Sequence, residues 1–311
     1  MTRVPDLGRV VESVLPFHCG AEQLWGIVSH PPAGVPVQPV AVLIVVGGPQ
    51  YRVGSHRQFV LLARALARRG FVAMRFDYRG MGDSEGALQT FESAGPDLQA
   101  ALDALAGVTP AAERLAVWGL CDAASAALMF ATADARVAGV VAVNPWARSE
   151  ATLAAARVKH YYAARLAQPE FWRKLLGGGV DWRGSIASLL GNLRRSRASR
   201  PSAPASGAAG ETFHAKLARG LARFRGRVLL VLSGNDLTAQ EFLQYVQSDS
   251  GWRAAWADPK VVRVDIAEAD HTFSRRAWQD AVEAATLEWL VNLASSADPS
   301  AQSPARGLRK A

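Results

Sequence analysis

Between residues 114 and 130 the chain spells a strand, a sharp turn and a helix in quick succession. After Arg114, Leu115-Ala116-Val117-Trp118 is apolar, Gly119 breaks the run, and Ala123-Ala124-Ser125-Ala126-Ala127 is made of small residues. Such a run, passing at once into small helix formers, is a βα unit rather than a hairpin. Cys121 falls at its apex. This is the layout of a nucleophile elbow, in which a strained turn lifts a reactive side chain above the end of a sheet. The usual spelling is G-x-S-x-G; here it is Gly119-x-Cys121-x-Ala123. A thiolate at a helix start is favoured by the unpaired backbone N–H groups and the helix dipole. The competing fate of a lone cysteine is burial as a small hydrophobe.

The surrounding chain repeats the same alternation. Val40 to Val46 is a continuous apolar run ended by Gly47-Gly48-Pro49, which suits a strand buried on both faces. Helical periodicity covers Gln58 to Arg69, Asp97 to Ala106, the segment from Cys121 through Ala133, and Arg275 to Ala294. Strands are expected at Phe71–Phe76, Arg114–Trp118, Val137–Val143, Arg227–Ser233 and Lys260–Ile266. Glu12 to Pro31 alternates apolar and polar around Cys19-Gly20 and reads as an antiparallel hairpin. Strands alternating with long helices imply a mostly parallel α/β sheet with helices on both faces.

The alternation lapses in the middle. An inserted helical cap is expected over residues 146–225, splitting the core into 1–145 and 226–294, with a disordered tail at 295–311. The Ser/Ala/Pro/Gly-rich run from Ser196 to Gly210 buries little and reads as mobile. Much of the formal charge of +8 sits in the stretch from Arg183 to Arg200 and in the tail. The ordinary reading of that excess is a solvated basic insert. These basic residues are not interleaved with aromatics on a regular element, so no nucleic-acid partner is expected. No apolar run reaches the roughly 18 to 20 residues that span a bilayer. The N-terminal residues lack an apolar signal core, and a cytoplasmic location is expected. Two cysteines exclude a disulfide framework, and no Cys/His cluster points to a zinc site or another cofactor.

Candidate site residues fall at the C-terminal ends of expected strands, where open α/β sheets place their sites. After Cys121 comes Asp236, in Leu232-Ser233-Gly234-Asn235-Asp236, suited either to orienting an imidazole or to capping the next helix. His271, in Asp270-His271-Thr272, follows the next strand and suits proton transfer. The chain order is nucleophile, acid, base. An oxyanion hole would take one backbone N–H from Asp122, the residue after the nucleophile. The other would come from the Gly47–Tyr51 loop, where Pro49 has no N–H and Gln50 or a neighbour must serve. Asp77 to Gly86 forms a tight loop after a strand, with Asp77 and Arg79 able to bond nearby backbone. His18 and His30 read as structural or surface residues, and His56 with Arg57 as a helix start. His160 reads as part of an aromatic-rich insert, while Ser125, one turn past Cys121, is a poor rival nucleophile.

The D-x-R-G-x-G-x-S-x-G stretch at Asp77–Gly86, the elbow, Asp236 and His271 together resemble the α/β-hydrolase superfamily, with an inserted cap. The loop Gly47–Arg57 and the segment Gly119–Ser125 more narrowly resemble the exosortase A system-associated hydrolase type 1 group, linked with bacterial exopolysaccharide and PEP-CTERM loci. The resemblance implies a bacterial accessory hydrolase. Cysteine for serine and Ala123 for the second glycine depart from the superfamily pattern, although dienelactone hydrolase resembles this chain in using cysteine there. The expected function is hydrolysis of a small-molecule acyl ester or thioester, with the basic insert (Arg194, Arg195, Arg197) favouring an anionic one. Acyl transfer to a sugar or lipid acceptor, and a silent partner-binding protein, are the alternatives.

Overall fold

A computed structural model describes residues 9–48, 50–147 and 212–296. The expected hairpin is β1 (Val11–Cys19) paired antiparallel with β2 (Glu22–His30), turning at Gly20 with φ 65°. Next come β3 (Val40–Val45), α1 (Gln58–Arg68), β4 (Ala73–Phe76), α2 (Gly95–Val108) and β5 (Arg114–Leu120). After β5 follow α3 (Asp122–Phe130), β6 (Val137–Val143), α4 (Phe213–Arg223) and β7 (Arg227–Ser233). The chain ends in α5 (Leu237–Ser248), α6 (Ser250–Trp256), β8 (Val261–Ile266) and α7 (Arg276–Ser295).

The strands form one eight-stranded sheet in the order β1-β2-β4-β3-β5-β6-β7-β8. β2 meets β4 antiparallel, and every pairing from β4 to β8 is parallel. The order reverses direction around β3 and β5, which places a crevice at their C-terminal ends. All six residues of β3 are buried, as its unbroken apolar run requires.

Side-chain alternation along β5 sorts the two faces. Trp118 packs edge-on against Phe59 of α1, 5.6 Å between ring centres, and its indole N–H donates to Thr286 Oγ1 of α7. Gly119 faces the other way, where α3 passes so close that a Cβ would lie 2.6 Å from the Ala123 carbonyl carbon. Glycine at 119 is therefore a packing requirement of the turn.

The cap expected over 146–225 falls largely at 148–211, outside the described residues, as do His160, the Arg194–Arg197 cluster and the tail from 297. Residues 213–223, which the sequence reading placed in the cap, form α4, and α4 packs on α3. Gly220 permits that approach, because a Cβ there would strike the Leu128 carbonyl of α3.

Gly119→Ala would push a methyl group into the backbone of α3. Overpacking of this kind costs about 1–3 kcal/mol. Equilibrium urea denaturation should show a loss in that range, whereas an unchanged midpoint would mean that the elbow tolerates a side chain there.

Candidate functional site

Cys121 sits between β5 and α3 with φ 63° and ψ −124°, a conformation that residues with a Cβ rarely adopt. Strain of this kind costs on the order of 1–3 kcal/mol and persists only where the surroundings over-determine it. Here they do. The Cys121 N–H donates to Val143 O at 2.9 Å, fixing the turn to the end of β6. Its carbonyl accepts from Ala124 N, Ser125 N and Trp146 N at 3.1–3.3 Å. Ser125 Oγ donates in turn to Trp146 O at 2.7 Å, so this buried hydroxyl braces the elbow. Of the two free cysteines, Cys19 is buried and Cys121 is partly open.

Asp236, just beyond β7, fills both roles that its sequence position left open. As the N-cap of α5 it accepts from Thr238 N at 3.1 Å through Oδ1 and from Ala239 N at 3.2 Å through Oδ2. Oδ2 also lies 2.8 Å from His271 Nδ1. The cap fixes the carboxylate, and the fixed carboxylate orients the ring. Asp236 is 5 % exposed at its side chain and His271 34 %, so the pair spans from the core to the surface of the crevice.

The His271 ring also forms a side-chain hydrogen bond with Cys121. The bond to Asp236 and then the bond to Cys121 push the His271 pKa up to about 10, against the opposing effect of burial. The structure thus joins Cys121, His271 and Asp236 in one chain of contacts.

Two residues that the sequence reading did not single out hold the His271 loop. Asn144, at the end of β6, is fully buried and has φ 43°. Its amide donates to Ser233 Oγ at 2.9 Å and to His271 O at 3.3 Å, while Ser233 N donates back to Asn144 Oδ1 at 2.8 Å. Ser233 Oγ donates to Asp270 O at 3.0 Å. The signal was faint: an asparagine at a strand end, among the non-glycine residues that best tolerate positive φ.

The N–H groups of the loop expected to supply an oxyanion donor are bonded within the protein. The Gln50 N–H turns back to Gly48 O at 2.8 Å and is not available to a ligand. The loop N–H that faces the elbow belongs to Gly48, and it donates to Asp122 Oδ1 at 2.7 Å. The same oxygen accepts from Ala123 N at 2.9 Å. Burial raises the Asp122 carboxyl pKa, while the backbone N–H groups of Gly48, Ala123 and Asp122 itself and the charge of His271 oppose that rise.

Arg52 anchors the loop from the other side. Its backbone N–H and its guanidinium both bond the fully buried Asp77, and its second nitrogen reaches Asp83 at 2.6 Å. Asp77 thus bonds the β3–α1 loop, and Arg79 pairs with buried Asp97 at 3.0 Å. His56 and Arg57 follow as exposed residues at φ 54° and 60°. His30 bonds Ser13 across the hairpin at 2.9 Å. Among the described residues no group of three or more His, Cys, Asp or Glu could hold a metal ion, and no helix is long and apolar enough to cross a membrane.

A family model described as "Alpha/beta hydrolase family" matches residues 42–289. An esterase of Pyrococcus furiosus has a similar structure, with 16% identity, a TM-score of 0.60 and 91% of each chain covered. Est1E of Butyrivibrio proteoclasticus, solved with ferulic acid, shares 14% identity at a TM-score of 0.58, covering 91% of this chain and 100% of its own. A Xanthomonas campestris protein described as an a/b serine hydrolase without lid shares 17% identity at a TM-score of 0.51, covering 90% of this chain and 95% of its own. These likenesses bear on the fold. No curated protein matches the chain by sequence.

The His271 pKa gives a signed expectation. It lies above the ordinary 6.5, so the stabilisation from the pair is complete below about pH 6.5 and is lost as pH rises through about 10. Asp236→Asn keeps a good helix cap but removes the charge. An NMR titration of the His271 ring should then show a midpoint well below that of the parent; an unchanged midpoint would exclude Asp236 as its main cause.

Proposed function

Because the chain belongs to the alpha/beta hydrolase family and is a hydrolase, we propose that it cleaves an acyl ester or thioester through Cys121, His271 and Asp236. The observation that carries this reading is the continuous contact from buried Asp236 through His271 to a cysteine on a strained apex. Structural cysteines need no such strain, and strained residues cluster at functional sites.

The chemistry follows from the contacts. Asp236 holds Nδ1, which leaves Nε2 for the thiol. The Cys121 proton passes to His271, and the thiolate adds to the acyl carbonyl, forming a C–S bond and an oxyanion. Collapse breaks the bond to the leaving oxygen or sulfur, which takes the proton from His271. Water then adds to the thioester and gives its proton to His271. The C–S bond breaks, the carboxylic acid departs, and the proton returns to Cys121. The backbone N–H groups of Asp122 and Gly48 flank the elbow and are the donors this scheme assigns to the oxyanion, Gly48 replacing Gln50.

The sequence of the loop Gly47–Arg57 and of the elbow supports placing the chain in the exosortase A system-associated hydrolase type 1 group. The basic stretch Arg194–Arg197 supports an anionic acyl substrate, with a KM that rises with salt as screening grows.

Treatment with S-phenyl thioacetate should add one acetyl group to Cys121, seen by intact mass. Cys121→Ala should abolish the adduct, and His271→Ala should slow its formation about 100-fold or more, in line with general-base contributions. An adduct absent from the parent, or formed equally fast in His271→Ala, would overturn the reading.

A further inference from the structure

The nucleophile's neighbour carries an unusual feature. Two backbone N–H groups, those of Gly48 and Ala123, converge on Asp122 Oδ1. The Gly48 bond, at 2.7 Å, is within the range of strong charge-assisted bonds, and the Ala123 bond is 2.9 Å. A side chain on Gly47 would collide with Asp122 Oδ1 and with the Leu120 carbonyl, so the loop is pressed directly onto this carboxylate. The Gln50 N–H, the next donor along the loop, is turned inward to Gly48 O.

We propose that Asp122 is a specificity-determining residue whose carboxylate occupies the N–H cradle that the substrate's oxyanion must use. This inference rests on the reading of Cys121 as the acyl-accepting nucleophile. An incoming carbonyl oxygen and the Asp122 carboxylate compete for the Gly48 N–H. A neutral carbonyl is the weaker acceptor until charge develops on it. Displacement must then be driven by contacts made elsewhere on the substrate, which is how remote binding energy is converted into rate. Minimal esters and thioesters have no such contacts and acylate Cys121 slowly. The raised Asp122 pKa agrees with a carboxylate drawn into a partly buried cradle rather than left in solvent.

The alternative physical role for the same bonds is a brace that holds the loop in place. The two roles predict opposite signs. With p-nitrophenyl acetate as probe, Asp122→Ala should raise kcat/KM at least about tenfold, since a single oxyanion donor is worth about 100–1000-fold in kcat. Asp122→Asn, an uncharged acceptor of the same shape, should fall between the parent and Asp122→Ala. The gain should vanish in Cys121→Ala/Asp122→Ala. A rate equal to or below the parent in both Asp122 variants, with acetyl-Cys121 still detected by mass, would overturn the gate and leave a brace.

Absence of an acetyl adduct in the parent and in both variants would overturn the thiolate reading itself, and the gate with it. Should Asp122→Ala fail to fold, Asp122→Asn and the Gly48 amide decide the matter. In the parent the Gly48 proton resonance should move with the Asp122 titration, and in Asp122→Asn that movement should be lost. A Gly48 resonance insensitive to Asp122 would also overturn the proposal.

Discussion

The backbone of Cys121 is the constraint from which the site is built. A left-handed turn at a residue with a Cβ has to be held from several sides at once. The Val143 carbonyl takes its N–H, while Ala124, Ser125 and Trp146 N–H groups converge on its carbonyl. These partners come from the end of β6, the first turn of α3 and the segment after β6. The elbow therefore exists only when β5, β6 and α3 are already in register. Gly119 supplies the space and Ser125 the brace, so the small residues around Cys121 serve the backbone before they serve any chemistry.

The same dependence explains what could be read from the sequence. Periodicity located β3, β5, β6, β7 and α7 to within a few residues, since each is buried along a regular face. The contact between Asp236 and His271 was legible because both sit at strand ends, and strand ends converge in a sheet of this topology. For Asp236 the capping and orienting readings were posed as rivals, yet one carboxylate has enough lone pairs for both. The oxyanion donor was less legible. Whether Gly48 or Gln50 faces the elbow depends on the backbone dihedrals of the loop, which residue types alone do not set. The boundary of the insert was missed for a related reason. α4 has an amphipathic pattern that would suit a cap or a core helix, and only its packing on α3 separates the two.

Asn144 and Ser233 show how a site can depend on residues without chemistry of their own. Their mutual hydrogen bonds close a polar bracket inside the core, and its outer members are the carbonyls of Asp270 and His271. A buried amide is costly unless its hydrogen bonds are made. Loss of the bracket would therefore free the loop carrying His271 and leave polar groups orphaned. The position of the imidazole is thus set from two directions, by Asp236 at the ring and by Asn144 at the backbone.

Electrostatics at the crevice then follows from the order of these anchors. Asp236 is fixed by a helix cap and cannot retreat, so its bond to the ring raises the His271 pKa beside Cys121. Asp122 also interacts with the charge of His271, and its carboxylate accepts from the Gly48 and Ala123 N–H groups beside the elbow. Two carboxylates consequently act on one imidazole from opposite commitments. The first is bound to the fold through α5, whereas the second is bound to donors that any oxyanion formed at Cys121 would also need.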